Sequence, residues 1–401
     1  MITKLQKTPE QEITNRISCL KKKMESKNIQ AVFLTHKPDI FYFSGTAQDC
    51  YLYISLDHEP ALFVKRYYPR AKQESCLKNI VQIDSIKNIP EKINNLHQKL
   101  PKTCGLAFDV VPVRDFNFYQ TLFHSTEFTD CTYIINECRQ IKSSYEIEQI
   151  KKSGTLSKKT FAYIKENIRP GISEMEFAGE FETFARRFGH SGILLNRHYR
   201  ADGFPFHLLS GENGGLAGSL DSPCCGTGTS ITHPYGAGAK IIQRNEPILI
   251  DFGTVLNGYH MDETRMFAMG SMEKEAMDAS KASMEILYSI LSLMKPGMVM
   301  GDVFDHSLQL AKKLGYENQF LGLPDLKSIF IGHGTGLELV ENPIISKGKK
   351  DILKPGMVFA VEPKFNFQNR FAAGIESVIQ ITDKGACFLS TTPHEIFIIS
   401  G

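Results

Sequence analysis

No charge of either sign dominates this 401-residue chain, whose 46 Lys and Arg face 44 Asp and Glu for a formal net charge of +2. With acidic and basic residues interspersed and no basic stripe, nothing argues for a nucleic-acid partner. The one basic run, Lys21-Lys22-Lys23, reads as a solvated helix face. No apolar stretch approaches the roughly 20 residues that cross a bilayer, so no membrane partner is expected. The amino terminus, polar and charged through position 12, does not read as a signal peptide. Paired cysteines are lacking as well. Nine are scattered, an odd number, and none forms a Cys-x-x-Cys pair. Free thiols in a reducing, cytoplasmic setting are expected, and a zinc-thiolate site is not. No Gly-x-Ser-x-Gly elbow is present, which excludes the serine-hydrolase turn. Asp251-Phe252-Gly253 lacks the phosphate loop and His-Arg-Asp loop of a kinase, and Gly226-Thr-Gly228 lacks a strand–turn–helix setting.

What the chain does have is five potential metal ligands, each in its own local frame. Asp251 lies in Ile-Asp-Phe-Gly, Asp262 in Tyr-His-Met-Asp-Glu-Thr-Arg, and His333 in Gly-His-Gly-Thr-Gly-Leu-Glu. Glu362 follows Ala-Val and precedes Pro363, and Glu376 lies in Gly-Ile-Glu-Ser-Val. Four carboxylates and an imidazole can hold two divalent cations, which polarise a substrate oxygen and acidify a water. That is hydrolase chemistry.

The first pair follows from hairpin geometry. Residues 247–256 and 259–267 are apolar, β-branched runs flanking Asn257-Gly258, a strong two-residue hairpin signal. Such a turn sets Gly253 opposite Asp262 and Asp251 opposite Thr264. Asp251 and Asp262 become same-face diagonal neighbours, roughly 7–8 Å apart at their backbones. Two acidic residues on a solvent-facing hairpin are the bland alternative, but their neighbours Leu249, Ile250, Val255, Met266 and Phe267 look buried. An unpaired buried carboxylate is costly. Residues 356–362 and 374–381 read as two more strands, each carrying one Glu among apolar residues. They are joined through a polar, aromatic stretch with Asn366, Gln368, Asn369 and Arg370. His333 sits in a Gly-rich loop. Alone it would more often be structural; the four carboxylates make it a ligand candidate.

An internal repeat links these parts. Residues 169–189 and 295–315 align without gaps; both start Pro-Gly after a basic residue and end with two basic residues, an apolar one and Gly. Each reads as an amphipathic helix followed by strands that carry two acidic ligand candidates. Pro-Gly starts and Gly exits are common helix punctuation, but the shared length favours duplication about a pseudo-two-fold axis.

This half resembles the pita-bread metallopeptidases: methionine aminopeptidases, Xaa-Pro aminopeptidases, prolidases and creatinase. The order Asp, Asp, His, Glu, Glu fits, as do the frames Asp262 to Arg265, Gly332 to Glu338 and Val361 to Pro363. The resemblance runs from about residue 140 to 395. Before it, a helix with Ile13, Ile17, Leu20 and Met24 at helical spacing precedes short strands at 31–35, 40–45, 51–56, 61–66 and 104–112. This part is similar to the accessory domain of the Xaa-Pro aminopeptidase and creatinase branch. Ser143 and Glu146 read as a capping box that opens a long helix. The expected organisation is α+β: a creatinase-like α/β domain over 1–139, then a duplicated pita-bread domain over 140–401.

The resemblance implies a dinuclear exopeptidase acting near the N-terminus of peptides, an Xaa-Pro aminopeptidase or dipeptidase. One ion would be held by Asp262, His333, Glu362 and Glu376, and the other by Asp251, Asp262 and Glu376. Mn is the expected metal, with Co, Zn or Fe also compatible. Glu362 would move the proton of the attacking water, and His233, in Ser-Ile-Thr-His-Pro, would contact the substrate. Without that frame, His233 reads equally well as a loop His before a Pro. A homodimer is implied, with the aromatic-rich 40–56 region a candidate to approach the neighbouring site, although buried core strands would read the same. Two alternatives share the fold, a creatinase-like metal-free C–N hydrolase and a non-catalytic binding protein; the complete ligand set argues against both. The chain departs from prolyl-specific members at Val340, where a second His is usual, and at Gly374, where Arg is frequent. A more apolar, roomier site is expected there, so Pro after the scissile bond is not assured.

Overall fold

A computed structural model describes residues 6–97, 99–197, 206–218 and 220–400. These divide into two compact units, one with residues 6–139 and Arg197, the other with residues 140–196 and 206–400. The first opens with α1 (Glu10–Ser26), which buries Ile13, Ile17, Leu20 and Met24 as their spacing requires. There follow β1 (Ala31–Leu34), α2 (Lys37–Ser44), β2 (Cys50–Ser55), β3 (Ala61–Val64), α3 (Tyr68–Glu74) and β4 (Asn79–Gln82). Next come α4 (Ile89–His97), β5 (Thr103–Leu106), α5 (Val113–Leu122), β6 (Glu127–Asp130) and α6 (Thr132–Arg139). The strands make one mixed sheet in the order β4-β3-β2-β1-β5-β6, parallel at β1–β5 and antiparallel at β1–β2.

One expected strand is corrected. Residues 40–44 belong to α2, with Gly45 as its cap, and not to the sheet. Pro38 in its first turn presets a helical φ, and Gly45 ends it in the left-handed region at φ 79°. Ile40, Tyr42 and Phe43 of this segment are core residues, as are Leu52 and Tyr53. Of the 40–56 aromatics, Tyr42, Phe43 and Tyr53 fill the interior, while Phe41 and Tyr51 are half-buried.

In the second unit, α7 (Ser144–Asn167) starts with the expected capping box: Ser143 accepts from the Glu146 amide, and the Glu146 carboxylate accepts from the Ser143 amide. Then come α8 (Glu174–Arg187), β7 (Phe206–Ser210), β8 (Ile248–Leu256) and β9 (Tyr259–Met269). The pattern recurs with α9 (Lys274–Leu293) and α10 (Met300–Lys313). The remaining strands are β10 (Gly322–Leu323), β11 (Leu326–Lys327), β12 (Phe330–Gly334), β13 (Glu341–Ser346), β14 (Val358–Val361), β15 (Lys364–Phe367), β16 (Phe371–Gly374), β17 (Ser377–Thr382), β18 (Gly385–Phe388) and β19 (Phe397–Ile399). Both α8 and α10 are 14 residues long, as the repeat requires.

These strands form two main sheets, β19-β9-β8-β7 and β13-β12-β14-β17-β18. Helices α7 and α8 bury Phe161, Phe177 and Phe181 with residues of the first sheet such as Phe252 and Phe267. Helices α9 and α10 bury Ile286, Ile290 and Val303 with residues of the second, among them Ile331, Phe359 and Ile379. The sheets are stitched together where Thr264 of β9 bridges Glu376, with amide-to-carbonyl distances of 3.3 and 3.2 Å. Between β14 and β17 the sequence suggested only a connecting stretch. The structure has a short hairpin there, β15–β16, which pairs Lys364 with Gly374.

Candidate metal centre

The β8–β9 hairpin has the register derived from its turn: Asp251 faces Thr264 and Gly253 faces Asp262. Asn257 and Gly258 take φ of 54° and 84°, the left-handed pair such a turn demands. His333 lies on β12, paired with Ala360 of β14. Glu362 directly follows β14 and Glu376 directly precedes β17, so both carboxylates sit where the two sheets meet.

The side chains converge on His333. Its Nε2 is 3.8 Å from Asp262 Oδ2, 3.5 Å from Glu362 Oε1 and 3.8 Å from Glu376 Oε1. His333 Nδ1 is 3.0 Å from Gly334 O, an acceptor only, so that nitrogen carries the proton and Nε2 presents a lone pair. Asp262, His333, Glu362 and Glu376 are all at most 6% exposed. Buried Glu376 Oε1 has no hydrogen-bond donor. A carboxylate oxygen in that state calls for a cation. Ligand atoms of Asp262, His333 and Glu376 lie within 4.8 Å of one another, a fit for a divalent ion.

Sequence reasoning missed the residue that dominates the other side of the cluster. Lys364 Nζ donates to Asp251 Oδ2 at 2.9 Å, Glu362 Oε2 at 2.9 Å and Glu376 Oε2 at 2.8 Å. Asp262 is not among its ion-pair partners. The signal was present: Lys364 is two positions beyond Glu362 in Glu-Pro-Lys. A lysine between strands, however, ordinarily reads as solvent-facing. His207 was also overlooked; it stands opposite Asp251 across β7–β8.

These neighbours set the electrostatics. Burial pushes the Asp262 carboxyl well above the usual range, and the nearby Glu376 and Asp251 carboxylates add to the rise. Burial likewise pushes Glu376 up to about 8, with Lys364 opposing and Glu362 assisting. Asp251 goes the other way. Burial would raise it, but Lys364 and His207 hold it below its ordinary value. Burial works against the Lys364 ammonium, and Asp251, Glu362 and Glu376 more than reverse this, so it stays charged.

Lys364 corrects the expectation of a roomier, more apolar site at Gly374. A Cβ on Gly374 would lie 2.6 Å from Lys364 Cγ, so the missing side chain is the space the lysine stem fills. Val340 is 37% exposed. His233 lies on an exposed turn, its amide donating to Ser230 O at 3.0 Å and its Nδ1 3.4 Å from Thr232 Oγ1. No hydrogen bond or ion pair among the described residues joins it to the carboxylates. Arg265 is fully buried and donates to Glu376 O at 2.7 Å and Thr392 O at 2.9 Å, which fixes the sheet junction behind the cluster.

Residues 148–383, which contain every ligand candidate, match metallopeptidase family M24. Residues 16–141 match the creatinase/prolidase N-terminal domain. The Xaa-Pro dipeptidase of Pyrococcus furiosus is 28% identical over 384 residues, covering 95% of this chain and 99% of that protein. An X-Pro aminopeptidase structure from Thermotoga maritima MSB8 matches with a TM-score of 0.79 at 25% identity, over 94% of this chain and 100% of that one. The fold of a Xaa-Pro dipeptidase from Bacillus anthracis matches with a TM-score of 0.82 at 22% identity, over 96% and 99%. With more than half its length in that match, this chain belongs to metallopeptidase family M24 and carries a creatinase/prolidase-type N-terminal domain.

Proposed function

We propose that this protein is a divalent-metal exopeptidase of the Xaa-Pro dipeptidase or aminopeptidase type, cleaving near the N-terminus of peptides. The observation that carries this is the buried meeting of Asp262, His333, Glu362 and Glu376 around a free imidazole lone pair. Family membership implies divalent metal ions, and we take Mn as the working ion, with Co, Zn or Fe compatible with mixed oxygen and nitrogen donors. Bound there, the metal supplies Lewis-acid polarisation of the scissile carbonyl and lowers the pKa of water. The protein's own groups do the rest. Glu362 accepts the proton of the attacking water and returns it to the leaving amine. His233 donates to the substrate from its exposed turn. The carboxylates attract the substrate's free amino group, which restricts cleavage to the chain end.

The nine free cysteines suit a cytoplasmic setting, and no described helix is long and apolar enough to cross a membrane. We also propose a homodimer, checked by light scattering at micromolar concentration. The deciding assay is a panel of Xaa-Pro and Xaa-Ala dipeptides and tripeptides with added Mn. Hydrolysis of Xaa-Pro substrates that stops on chelation is the expected result. Preference for Xaa-Ala would reject prolyl specificity, and activity unaltered by exhaustive chelation would reject the metal mechanism.

A further inference from the structure

We infer that the Lys364 ammonium permanently holds one of the two cation positions in this centre, so the site takes a single divalent ion. The cluster has two sides. On one, Asp262 Oδ2, Glu362 Oε1 and Glu376 Oε1 face His333 Nε2 at 3.5–3.8 Å. On the other, Asp251 Oδ2, Glu362 Oε2 and Glu376 Oε2 each accept from Lys364 Nζ at 2.8–2.9 Å. Glu362 and Glu376 thus split their oxygens, one toward the imidazole and one toward the ammonium.

An ammonium has three protons, and here all three find carboxylate acceptors. Its side chain is 2% exposed. Its stem lies against Gly374, where even a methyl group would collide at 2.6 Å. The lysine is therefore built into the site; it is not a surface side chain resting there. Among the oxygens of Glu376, Oε2 is fully engaged, accepting also from Thr264 Oγ1 at 3.0 Å, while Oε1 has no donor. The unmet demand for a cation lies only on the His333 side. A second divalent ion would need Asp251 and Glu376, two of the three carboxylates the ammonium already neutralises. It would also lie against a like charge in a buried setting.

This inference shares with the proposed function only the premise that the site binds a divalent ion. The test is metal stoichiometry on the full-length protein, independent of turnover. Purified, metal-stripped protein is titrated with Mn²⁺ by calorimetry, and bound metal is counted by elemental analysis after desalting. Wild type is expected to take about one ion per chain, and Lys364→Met about two, since two-metal sites of this type need both positions vacant. Electron paramagnetic resonance gives a second readout: isolated Mn²⁺ in wild type, an exchange-coupled pair in the variant. Two ions in wild type, or a coupled spectrum from it, would overturn the inference whatever the variant does. Wild type with no bound ion would overturn both this inference and the peptidase reading. Wild type with two ions and intact Xaa-Pro hydrolysis would remove this inference alone.

Discussion

Glu362 is asked to do two things with one carboxylate. Oε1 faces His333 Nε2 at 3.5 Å and Oε2 accepts from Lys364 at 2.9 Å. As proton carrier it acts on the reaction, whereas as ligand it acts on metal retention. Glu362→Gln should therefore lower kcat by about 10²–10⁴-fold, the span general-base removal usually gives, with a smaller change in KM. Steady-state kinetics at saturating Mn reads this directly, and near wild-type kcat would move the base elsewhere. A second residue prediction concerns pH. His190 Nδ1 accepts from the Val255 amide at 3.0 Å, so the ring is held neutral. Burial, helped by Arg186 and His260, lowers its pKa to about 4. Between that value and about 6.5 the unfolded chain binds the proton and the folded one does not, so stability rises with pH across this window. His190's own contribution to the unfolding free energy should fall by up to about 1.4 kcal/mol per pH unit below about 6.5, so the stability difference between wild type and His190→Gln in urea titrations should shrink from pH 7 to pH 5. Ligand candidates such as Asp251 and Asp262 were legible because buried carboxylates among apolar neighbours need a partner. Lys364 was not, because a lysine in an alternating strand reads as solvent-facing, and only folding, which brings Asp251 from 113 positions away, turns its ammonium inward.

Elements show the same division. The β8–β9 register could be derived because Asn257-Gly258 fixes it locally, and the observed pairs Asp251–Thr264 and Gly253–Asp262 agree. Where Glu376 lands could not, because its bridge to Thr264 joins two sheets through residues 112 positions apart. Short apolar runs were ambiguous: β1 to β3 were read as strands correctly, but the 40–44 segment is helical, and periodicity over so few residues cannot decide. The hairpin also carries a prediction. Gly258 has φ 84°, and a Cβ there would meet only Leu337 Cδ2 at an ordinary 3.6 Å. Gly258→Ala thus introduces backbone strain without a clash, and should cost about 1–2 kcal/mol. Urea denaturation checks this. No loss of stability would mean that the turn rearranges without strain, and the Asp251–Asp262 register would lose its local support.

For the molecule as a whole, the cluster is a liability without its ion. Four carboxylates meet one ammonium and one imidazole in a buried junction, and Asp262 and Glu376 are already driven toward their neutral forms by burial and by one another. A divalent cation bound only by the folded state removes this conflict and stabilises the fold by mass action. At free metal near 100 times its Kd the gain is about 2.7 kcal/mol. For a unit of this size that corresponds to a rise of roughly 5–10 °C in Tm. Calorimetric melting with Mn²⁺ should therefore be shifted upward from melting with a chelator, and Asp262→Asn should remove the shift by weakening the ion's hold. The unit at residues 6–139 has its own core, built around Phe33, Tyr53 and Phe63, and none of the ligand candidates. Its melting should respond little to metal. Should the two units unfold in separate steps, only the step belonging to residues 140–401 should move. Superimposable melting curves with Mn²⁺ and with chelator would show that folding places no demand for an ion at this junction, and would count against a metal at His333.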